Sequence, residues 1–481
     1  MDSQATQLLE RASALRLAGR VDEAIDAYEQ LLEREPDLPD SWYNLGWLLR
    51  QARRYDASLA AYRQALDRGV SEPEEVHLNQ AVILSDHLAR PDEAEAELRA
   101  AIALNPRYLP ALLNLGNLHE DLGNRKDAET AYRGALDIAP AHGLALSRLA
   151  GVVDAQAQTG AELVERLGRA LSSGEGPAER AGLGFALGRL LDARGEFEQA
   201  FATYEGANRA SRESFGPRFA GYDQAAHEQF VDRLIAEFVE PSSRPDDAAA
   251  PVFVCGMFRS GSTLVEQILG SHSGVKSGGE LDLIPAIAAR IADYPQGAAD
   301  AGEAALSAWR CFYLDGIAPF ASGDCLITDK RPDNFLHIGL IKTIFPNAKI
   351  IHTHRNRLDN LLSLYFLHLD PQMSYALNLA DAAHWYGQYE RLMAHWKTLY
   401  ADDILDVGYD ALVSEPKPRT KRLLAFLGLG WEDQMLDFHL RQGAVKTASV
   451  WQVREPLHAR SSGRWRNYSK QLERALGEPA R

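Results

Sequence analysis

The residues best suited to chemistry lie in the stretch Pro251–Glu280, where glycines and serines separate an apolar run from a helical pattern. Pro251–Cys255 is apolar and β-rich, as expected of a buried parallel strand. Gly256–Ser262 predicts a turn, and Thr263–Leu269 predicts the first turns of an amphipathic helix. A strand, a glycine-rich turn and a helix in this order direct unpaired backbone N–H groups and the positive end of a helix dipole towards one point. The stretch therefore predicts a phosphate-binding site.

The turn differs from a nucleoside-triphosphate loop at one position. The spacing of Gly256 and Gly261 matches the start of a Walker A loop, but Ser262, followed by Thr263, stands where that motif has a lysine. The turn carries a cation at Arg259 instead. Because the missing lysine normally reaches the β- and γ-phosphates, the sequence favours a cradle for the 5′-phosphate of a nucleotide without a triphosphate.

The sequence FRSGSTLVEQIL, followed by GGE, resembles the 5′-phosphosulfate-binding loop of sulfotransferases, most closely that of the tyrosylprotein sulfotransferases. The resemblance implies transfer of a sulfuryl group from 3′-phosphoadenosine 5′-phosphosulfate (PAPS) to a hydroxyl group or an amine, which leaves adenosine 3′,5′-bisphosphate (PAP) as product. We expect no metal ion, because the sequence shows no metal-binding constellation and sulfate carries less charge than a nucleotide polyphosphate. The residues that the resemblance places around the phosphosulfate are Arg259, Ser260, Gly261, Ser262 and Thr263.

The segment HTHRNRLDNLLSLYF resembles the 3′-phosphate-binding segment of the same family, with an arginine at a strand end and a serine eight residues later. Arg355 and Ser363 fit that spacing. If Arg355 opens the helix, eight residues are about two turns, so both side chains reach one phosphate. An arginine fork suits a phosphate because it binds in bidentate fashion. Leu367 stands where the tyrosylprotein enzymes have a further arginine, and an ion pair between Arg355 and Asp359 on the helix surface is the alternative.

The C-terminal segment TASVWQVREPLHARSSGRW resembles the family's loop that closes over the nucleotide. Ser449 and the pair Gln452-Val453 match by residue, and Arg464 stands where the family has the lysine of a Lys-Trp pair. The resemblance implies that Ser449 hydrogen-bonds near the sulfuryl group and that Arg464 contacts a nucleotide phosphate. It also places Tyr409 beside the adenine.

Sulfuryl transfer needs an in-line nucleophile, a base for its proton and cations where the leaving group gains charge. Glu280, 21 residues after Arg259 as in the tyrosylprotein family, is the predicted base. Lys330 follows a predicted strand and is expected to stabilise the bridging oxygen, and Arg259 and Ser449 complete the predicted catalytic set. The alternatives are that Glu280 caps a helix beginning at Leu281 and that Lys330 belongs to a solvated run of charges.

The first 240 residues contain a repeated pattern of small and aromatic residues. Units start near Ala5, Pro39, Glu75 and Leu109, in steps of 34, 36 and 34 residues. This is the tetratricopeptide pattern of paired antiparallel helices, in which small residues allow close packing. Residues 143–180 lose the pattern, and a further unit starts near Ala181.

The sequence predicts three segments. Residues 1–240 form a tetratricopeptide-like helical solenoid that ends in a capping helix at Asp223–Val239, residues 241–250 (PSSRPDDAAA) form a linker, and residues 251–481 form the sulfotransferase domain. In the last segment strands alternate with helices. This alternation predicts a P-loop-like α/β domain with a parallel sheet whose ligands lie at the carboxyl ends of the strands.

Composition and charge limit the classes of partner that we expect for this protein. Residues 251–481 hold 25 Lys and Arg against 25 Asp and Glu, so residues 1–250 carry the whole net charge of −16. An acidic first half argues against nucleic acid and suits either a basic peptide or a solvated helical surface. The three cysteines indicate neither a disulfide framework nor a zinc site. The polar first ten residues and the absence of a long apolar run lead us to expect a cytoplasmic protein without a membrane partner.

The expected function is sulfuryl transfer from PAPS to an acceptor hydroxyl, with a tyrosine of a peptide held by the repeat groove as one candidate acceptor. Carbohydrate and small-molecule hydroxyls stay open. One alternative is a P-loop nucleotide kinase or NTPase, against which Ser262 in the lysine position argues. The other is an interaction scaffold with an inactive nucleotide-binding domain, which would have no need of the charged residues named above.

Overall fold

The computed structural model describes residues 2–174, 176–217, 219–241, 250–321, 323–440 and 454–477. The chain divides into a first compact unit that ends at Asp154 and a second that starts at Ala155. The predicted division at residues 240 and 250 stays a prediction.

The described residues of the first unit form antiparallel helix pairs. Its helices are α1 Ser3–Leu17, α2 Val21–Arg34, α3 Pro39–Gln51, α4 Tyr55–Asp67, α5 Pro73–Asp86, α6 Pro91–Leu104, α7 Leu109–Leu122, α8 Arg125–Ile138 and α9 Gly143–Val152.

Small residues allow the two helices of a pair to approach closely. A Cβ at Gly46 of α3 would lie 2.8 Å from the ring of Tyr62 of α4, and a Cβ at Gly116 of α7 would lie 2.3 Å from the ring of Tyr132 of α8. The Ser58 hydroxyl donates to the Gly46 carbonyl at 2.6 Å, across the same pair. Both tyrosines are fully buried. The predicted helical repeat is confirmed, because the Gly and Tyr positions that define it in the sequence are the contacts between its helices.

The second unit begins with helices of the same kind. They are α10 Gln158–Ser173, α11 Pro177–Ala193, α12 Phe197–Ser214 and α13 Gln224–Glu237. A Cβ at Gly188 of α11 would lie 2.8 Å from the ring of Tyr204 of α12, which repeats the pattern of the first unit.

A five-stranded parallel sheet forms the centre of the second unit. Its strands are β1 Val252–Gly256, β2 Val275–Ser277, β3 Leu326–Asp329, β4 Lys349–His354 and β5 Ile404–Gly408. Their order is β2-β3-β1-β4-β5, and every neighbouring pair is parallel. All five residues of β1 are buried. The predicted parallel sheet is confirmed.

The remaining α-helices of the described residues lie between and after the strands. They are α14 Ser262–Gly270, α15 Leu283–Ala288, α16 Gln296–Ala299, α17 Glu303–Ile317, α18 Ile338–Ile344, α19 Arg357–Tyr365, α20 Leu379–Leu399, α21 Tyr409–Ser414, α22 Pro416–Phe426 and α23 Ser469–Leu476. Short 3-10 helices span Ala318–Phe320, Pro332–His337, Pro371–Leu377, Asp433–Leu436, Phe438–Leu440 and Arg464–Tyr468.

Helix α12 packs directly on the α/β part of the unit. The ring of Tyr204 stacks on that of Phe366 with centroids 4.0 Å apart, and the Asn208 amide donates to the Tyr365 carbonyl at 2.9 Å. Tyr365 ends α19, which carries Ser363. The last helix pair with the repeat pattern therefore supports a helix of the candidate site.

Helix α13 also packs on the α/β part. Arg391 of α20 pairs with Asp232 of α13, and the His395 ring is 2.7 Å from the Phe238 carbonyl oxygen. The helix predicted to cap the solenoid therefore has one face against α20. Within the part of the chain that is described, no helix is long and apolar enough to cross a membrane.

Candidate functional site

The loop after β1 is held against β4 by backbone and hydroxyl contacts. Gly256 has φ 147°, and a Cβ there would lie 2.1 Å from the Thr353 carbonyl oxygen, so only glycine fits. The Thr353 hydroxyl donates to the Cys255 carbonyl at 3.2 Å and lies 2.7 Å from the Ser260 hydroxyl. Ser260, predicted to bind phosphate, is 1% exposed. Its side chain fixes the loop on the neighbouring strand.

The end of the loop meets the residue that follows β5. Gly261 precedes α14 with φ 101°, and a Cβ there would lie 2.8 Å from the Tyr409 ring. Helix α14 begins at Ser262, one residue before the predicted start at Thr263, and both residues are buried. The fold thus brings Tyr409 beside the loop, although about 150 residues separate them in the sequence.

Two arginines meet at the same point. The Arg259 Nε donates to the Ser363 hydroxyl at 3.1 Å, and the Arg355 guanidinium donates to the Arg259 carbonyl at 3.5 Å. The Arg355 Cζ atom lies 4.9 Å from the centre of the Tyr409 ring. Burial, and then the charge of Arg355, lower the pKa of Arg259 to about 10. Both arginines are partly buried. Neighbouring cations with reduced access to water repel each other, and a bound anion would relieve this repulsion.

Arg355 does not open the helix as predicted, because α19 begins at Arg357. The Asn356 side chain caps it by accepting from the Asp359 amide at 3.1 Å. The prediction that Arg355 and Ser363 lie two turns apart on one helix is therefore wrong. The fold nevertheless brings both side chains to Arg259. Nor does Asp359 pair with Arg355 as the alternative supposed, since it accepts from the backbone amides of Gly463 and Trp465, at 2.6 and 2.8 Å.

The predicted base and the predicted lysine form an ion pair. Lys330 follows β3, is fully buried, and donates through Nζ to Glu280 Oε1. The Glu280 side chain is 41% exposed, so it is open to solvent on one side. Lys330 is therefore not part of a solvated run of charges. Glu280 is not a helix cap, because α15 begins at Leu283 with Asp282 before it.

The carboxyl ends of the parallel strands gather these residues at one edge of the sheet. The glycine loop follows β1, Lys330 follows β3, Arg355 follows β4 and Tyr409 follows β5. Ligands of open α/β sheets bind in the crevice at this edge.

Arg464 has a partner that the sequence did not indicate. Its guanidinium donates to Asp192 Oδ2 of α11 at 2.6 Å, and its Cζ lies 5.1 Å from the centre of the Phe366 ring. After burial and Arg355, Arg464 also contributes to the lowered pKa of Arg259. It therefore lies near Arg259 but is engaged by an acidic residue. Ser449, Gln452 and Val453 lie outside the described residues.

Buried acidic residues near the site were missed in the sequence. Glu266 of α14 is 3% exposed and accepts from the Gly279 amide and the Thr328 hydroxyl, each at 3.0 Å. Asp329 accepts from the Tyr313 hydroxyl at 2.8 Å, and burial raises the pKa of Asp329 to about 7. The one available signal was a glutamate inside the apolar pattern Leu264–Leu269, because a charge among core positions needs a partner.

No cluster of three or more His, Cys, Asp or Glu side chains suited to a metal ion occurs among the residues that the structure describes. The residues brought together at the sheet edge are cations, hydroxyls and backbone amides around a glycine turn. Such groups bind phosphate and sulfate oxygens.

Comparison with known proteins identifies two classes of domain. Residues 251–433 match the model of a sulfotransferase family, and residues 9–73 and 88–142 match that of the tetratricopeptide repeat. The chain therefore carries a sulfotransferase-family domain together with tetratricopeptide repeats.

The individual proteins to which this chain is similar share at most about a third of their residues with it over the matched region. An uncharacterized protein of Aquifex aeolicus (strain VF5) is 33% identical over 400 residues, 79% of this chain and 51% of that protein. Protein-tyrosine sulfotransferase 1 of Danio rerio is 25% identical over 240 residues, 44% of this chain and 65% of that protein. The solved sulfotransferase domain of the Synechococcus PCC 7002 olefin synthase is 19% identical with a TM-score of 0.35, covering 50% of this chain and 99% of that one. The chain spans about half the length of the first relative and less than two thirds of the second.

Proposed function

We propose that this protein transfers the sulfuryl group of PAPS to an acceptor hydroxyl. The observation that carries the proposal is the meeting of Arg259, Arg355 and Ser363 at the sheet edge that also holds the ion pair of Glu280 and Lys330. Residues 251–433, which match the sulfotransferase family, contain all five.

Each group of the donor has a candidate partner. The backbone amides at the start of α14 would donate N–H groups to the 5′-phosphosulfate, and the Arg259 side chain would place a positive charge beside the same anion. Arg355 and Ser363 would bind the 3′-phosphate, and Tyr409 would contact the adenine. Arg464 would contact a nucleotide phosphate after exchanging Asp192 for that anion, and Ser449 is proposed to hydrogen-bond near the sulfuryl group.

In the proposed reaction the acceptor oxygen attacks the sulfur and forms a new S–O bond. Glu280 takes the proton of the acceptor hydroxyl. The bond between the sulfur and the bridging oxygen breaks, and its electron pair stays on the 5′-phosphate of PAP. Lys330 stabilises the charge on that oxygen. An ammonium group has three donors, so Lys330 can serve this oxygen while it holds Glu280.

The acceptor class that we propose is a tyrosine hydroxyl of a peptide or protein. The named relative from Danio rerio is a protein-tyrosine sulfotransferase, and tetratricopeptide grooves are suited to extended peptides. Carbohydrate and small-molecule hydroxyls remain the competing acceptors. The cytoplasmic location expected from the sequence stays a prediction.

Calorimetric titration with PAP, ADP and ATP tests the donor site. We expect PAP to bind in the micromolar range and the adenine diphosphate and triphosphate far more weakly. The variant R355A should lose about 2 kcal/mol of PAP binding, roughly 30-fold in Kd, because it removes a charged fork from the phosphate.

The matched control is R419A. Arg419 of α22 has a side chain that is 41% exposed and pairs with Glu415, the residue before that helix. Its removal should therefore leave the Kd of PAP unchanged. Incubation of the wild type with PAPS labelled in its sulfuryl group and a tyrosine peptide then tests transfer. ATP binding as tight as that of PAP would favour a kinase or NTPase, and PAP binding without transfer to any hydroxyl acceptor would favour the scaffold.

A further inference from the structure

A buried carboxylate lies on α14, one turn beyond the glycine loop. Glu266 is 3% exposed, and its helix neighbours Leu264, Val265 and Ile268 are buried apolar residues. A carboxylate in such surroundings is costly unless it is hydrogen-bonded. The donor contacts and the proton transfer described above give Glu266 no role, so its partners indicate what it does.

Both partners of Glu266 belong to segments that carry the proposed catalytic pair. Its Oε1 accepts from the Gly279 amide at 3.0 Å and from the Thr328 hydroxyl at 3.0 Å. Gly279 immediately precedes Glu280, and Thr328 lies two residues before Lys330. One oxygen thus connects the helix of the donor loop to the segment of the base and to the strand of the cation.

The backbone before Glu280 is held from its other side by β3. The Gly278 amide donates to the Thr328 carbonyl at 3.0 Å, and the Lys330 amide donates to the Gly279 carbonyl at 2.8 Å. A Cβ at Gly278 would lie 2.4 Å from the Thr328 carbonyl oxygen, which shows how closely the two backbones approach. Together with the hydrogen bond that the Gly279 amide donates to Glu266, these contacts leave the residue before the base little freedom to shift.

We propose that Glu266 is a positioning residue, whose Oε1 fixes the Gly278–Gly279 backbone against α14 so that Glu280 and Lys330 face the donor loop in one arrangement. The catalytic meaning of this arrangement rests on the proposed sulfuryl transfer. The hydrogen bonds of Glu266 do not depend on that reaction. The order of the Gly278–Gly279 backbone and the turnover of the enzyme are therefore measured separately.

Two conservative variants distinguish position from charge. E266Q keeps an oxygen acceptor at the same distance and removes the charge. E266D keeps the charge but shortens the side chain by one C–C bond of about 1.5 Å, which is enough to take the oxygen out of hydrogen-bond range of the Gly279 amide. The control is I268V, which trims a fully buried neighbour on the same helix without touching these contacts.

The first measurement is amide hydrogen exchange of a peptide covering Gly278–Glu280, in wild type and variants saturated with PAP. We expect faster exchange in E266D and wild-type exchange in E266Q and I268V. The second is turnover of PAPS with a tyrosine peptide. We expect E266D to lose kcat by about 10- to 100-fold and E266Q to stay within about 3-fold of wild type, with the Kd of PAP unchanged in both.

Each outcome bears on the proposal. Positioning by Oε1 is overturned if E266D keeps the slow exchange and the kcat of the wild type. It is also overturned if E266Q, and not E266D, shows faster exchange and a lower kcat. A loss of kcat in I268V equal to that in E266D would assign the effect to general loosening of α14, and would also overturn it. If the exchange pattern appears but the wild type transfers no sulfuryl group to any acceptor, the positioning role stands and the proposed reaction fails.

Discussion

Replacement of Lys330 by methionine separates the chemistry of the site from the stability of the fold. Lys330 is fully buried and donates to Glu280, and methionine preserves most of its volume while removing the charge. Glu280 is 41% exposed on its side chain and can be solvated after the change. We therefore expect K330M to cost roughly 1–3 kcal/mol of unfolding free energy, below the value for a fully buried ion pair.

A second buried lysine provides a matched control. Lys342 of α18 is 2% exposed and donates to Asp403 at 2.8 Å and to the Ala348 carbonyl at 3.2 Å. In K342M, Asp403 keeps Lys349 as a partner at 2.8 Å. The stability cost should therefore again be roughly 1–3 kcal/mol.

The two variants should differ in turnover. Removal of one preorganised donor to a developing charge costs about 100- to 1,000-fold in kcat, so K330M should lose this much, whereas K342M should keep kcat within about 3-fold of wild type. The assays are urea unfolding, calorimetric titration with PAP and turnover of PAPS with a tyrosine peptide. Equal losses of kcat in both variants at equal folded fraction, or full turnover in K330M, would refute the role given to Lys330.

Two further predictions concern stability. Burial lowers the pKa of His352 to about 4, below the value near 6.5 of an unfolded histidine. The unfolded chain therefore binds this proton at a higher pH than the folded chain, so His352 should lower the unfolding free energy by about 1.4 kcal/mol per pH unit as the pH falls from 6 to 4. Burial also lowers the pKa of His227 and His337 to about 4, so urea unfolding of H352Q should show a pH slope that is smaller by the share of His352. In the first unit, G116A places a Cβ 2.3 Å from the Tyr132 ring and should cost about 1–3 kcal/mol, whereas G134A has ordinary contacts at 3.6 Å and should gain up to about 1 kcal/mol. Thermal unfolding followed by circular dichroism compares the pair, and equal shifts would contradict the role of small residues between these helices.

The sequence alone predicted most of the elements and the kind of site. Spacing of Gly46, Gly116 and their partner tyrosines predicted paired helices, because a repeated local contact leaves a repeated local pattern. The strand, turn and helix in Pro251–Leu269 predicted an anion site for the same reason, since the amides that form it are neighbours in the chain.

Only the tertiary structure decided which side chains meet. Arg464 donates to Asp192, which lies 272 positions away, and Glu266 holds the backbone beside Glu280. No local period encodes such pairs, because they depend on the order of strands in the sheet and on which helix covers which strand. The same reason explains why the repeat pattern in α11 and α12 did not reveal that these helices belong to the compact unit of the sheet. Local spacing specifies an element, whereas its partner is chosen by burial of apolar surface and by the pairing of buried polar groups during folding.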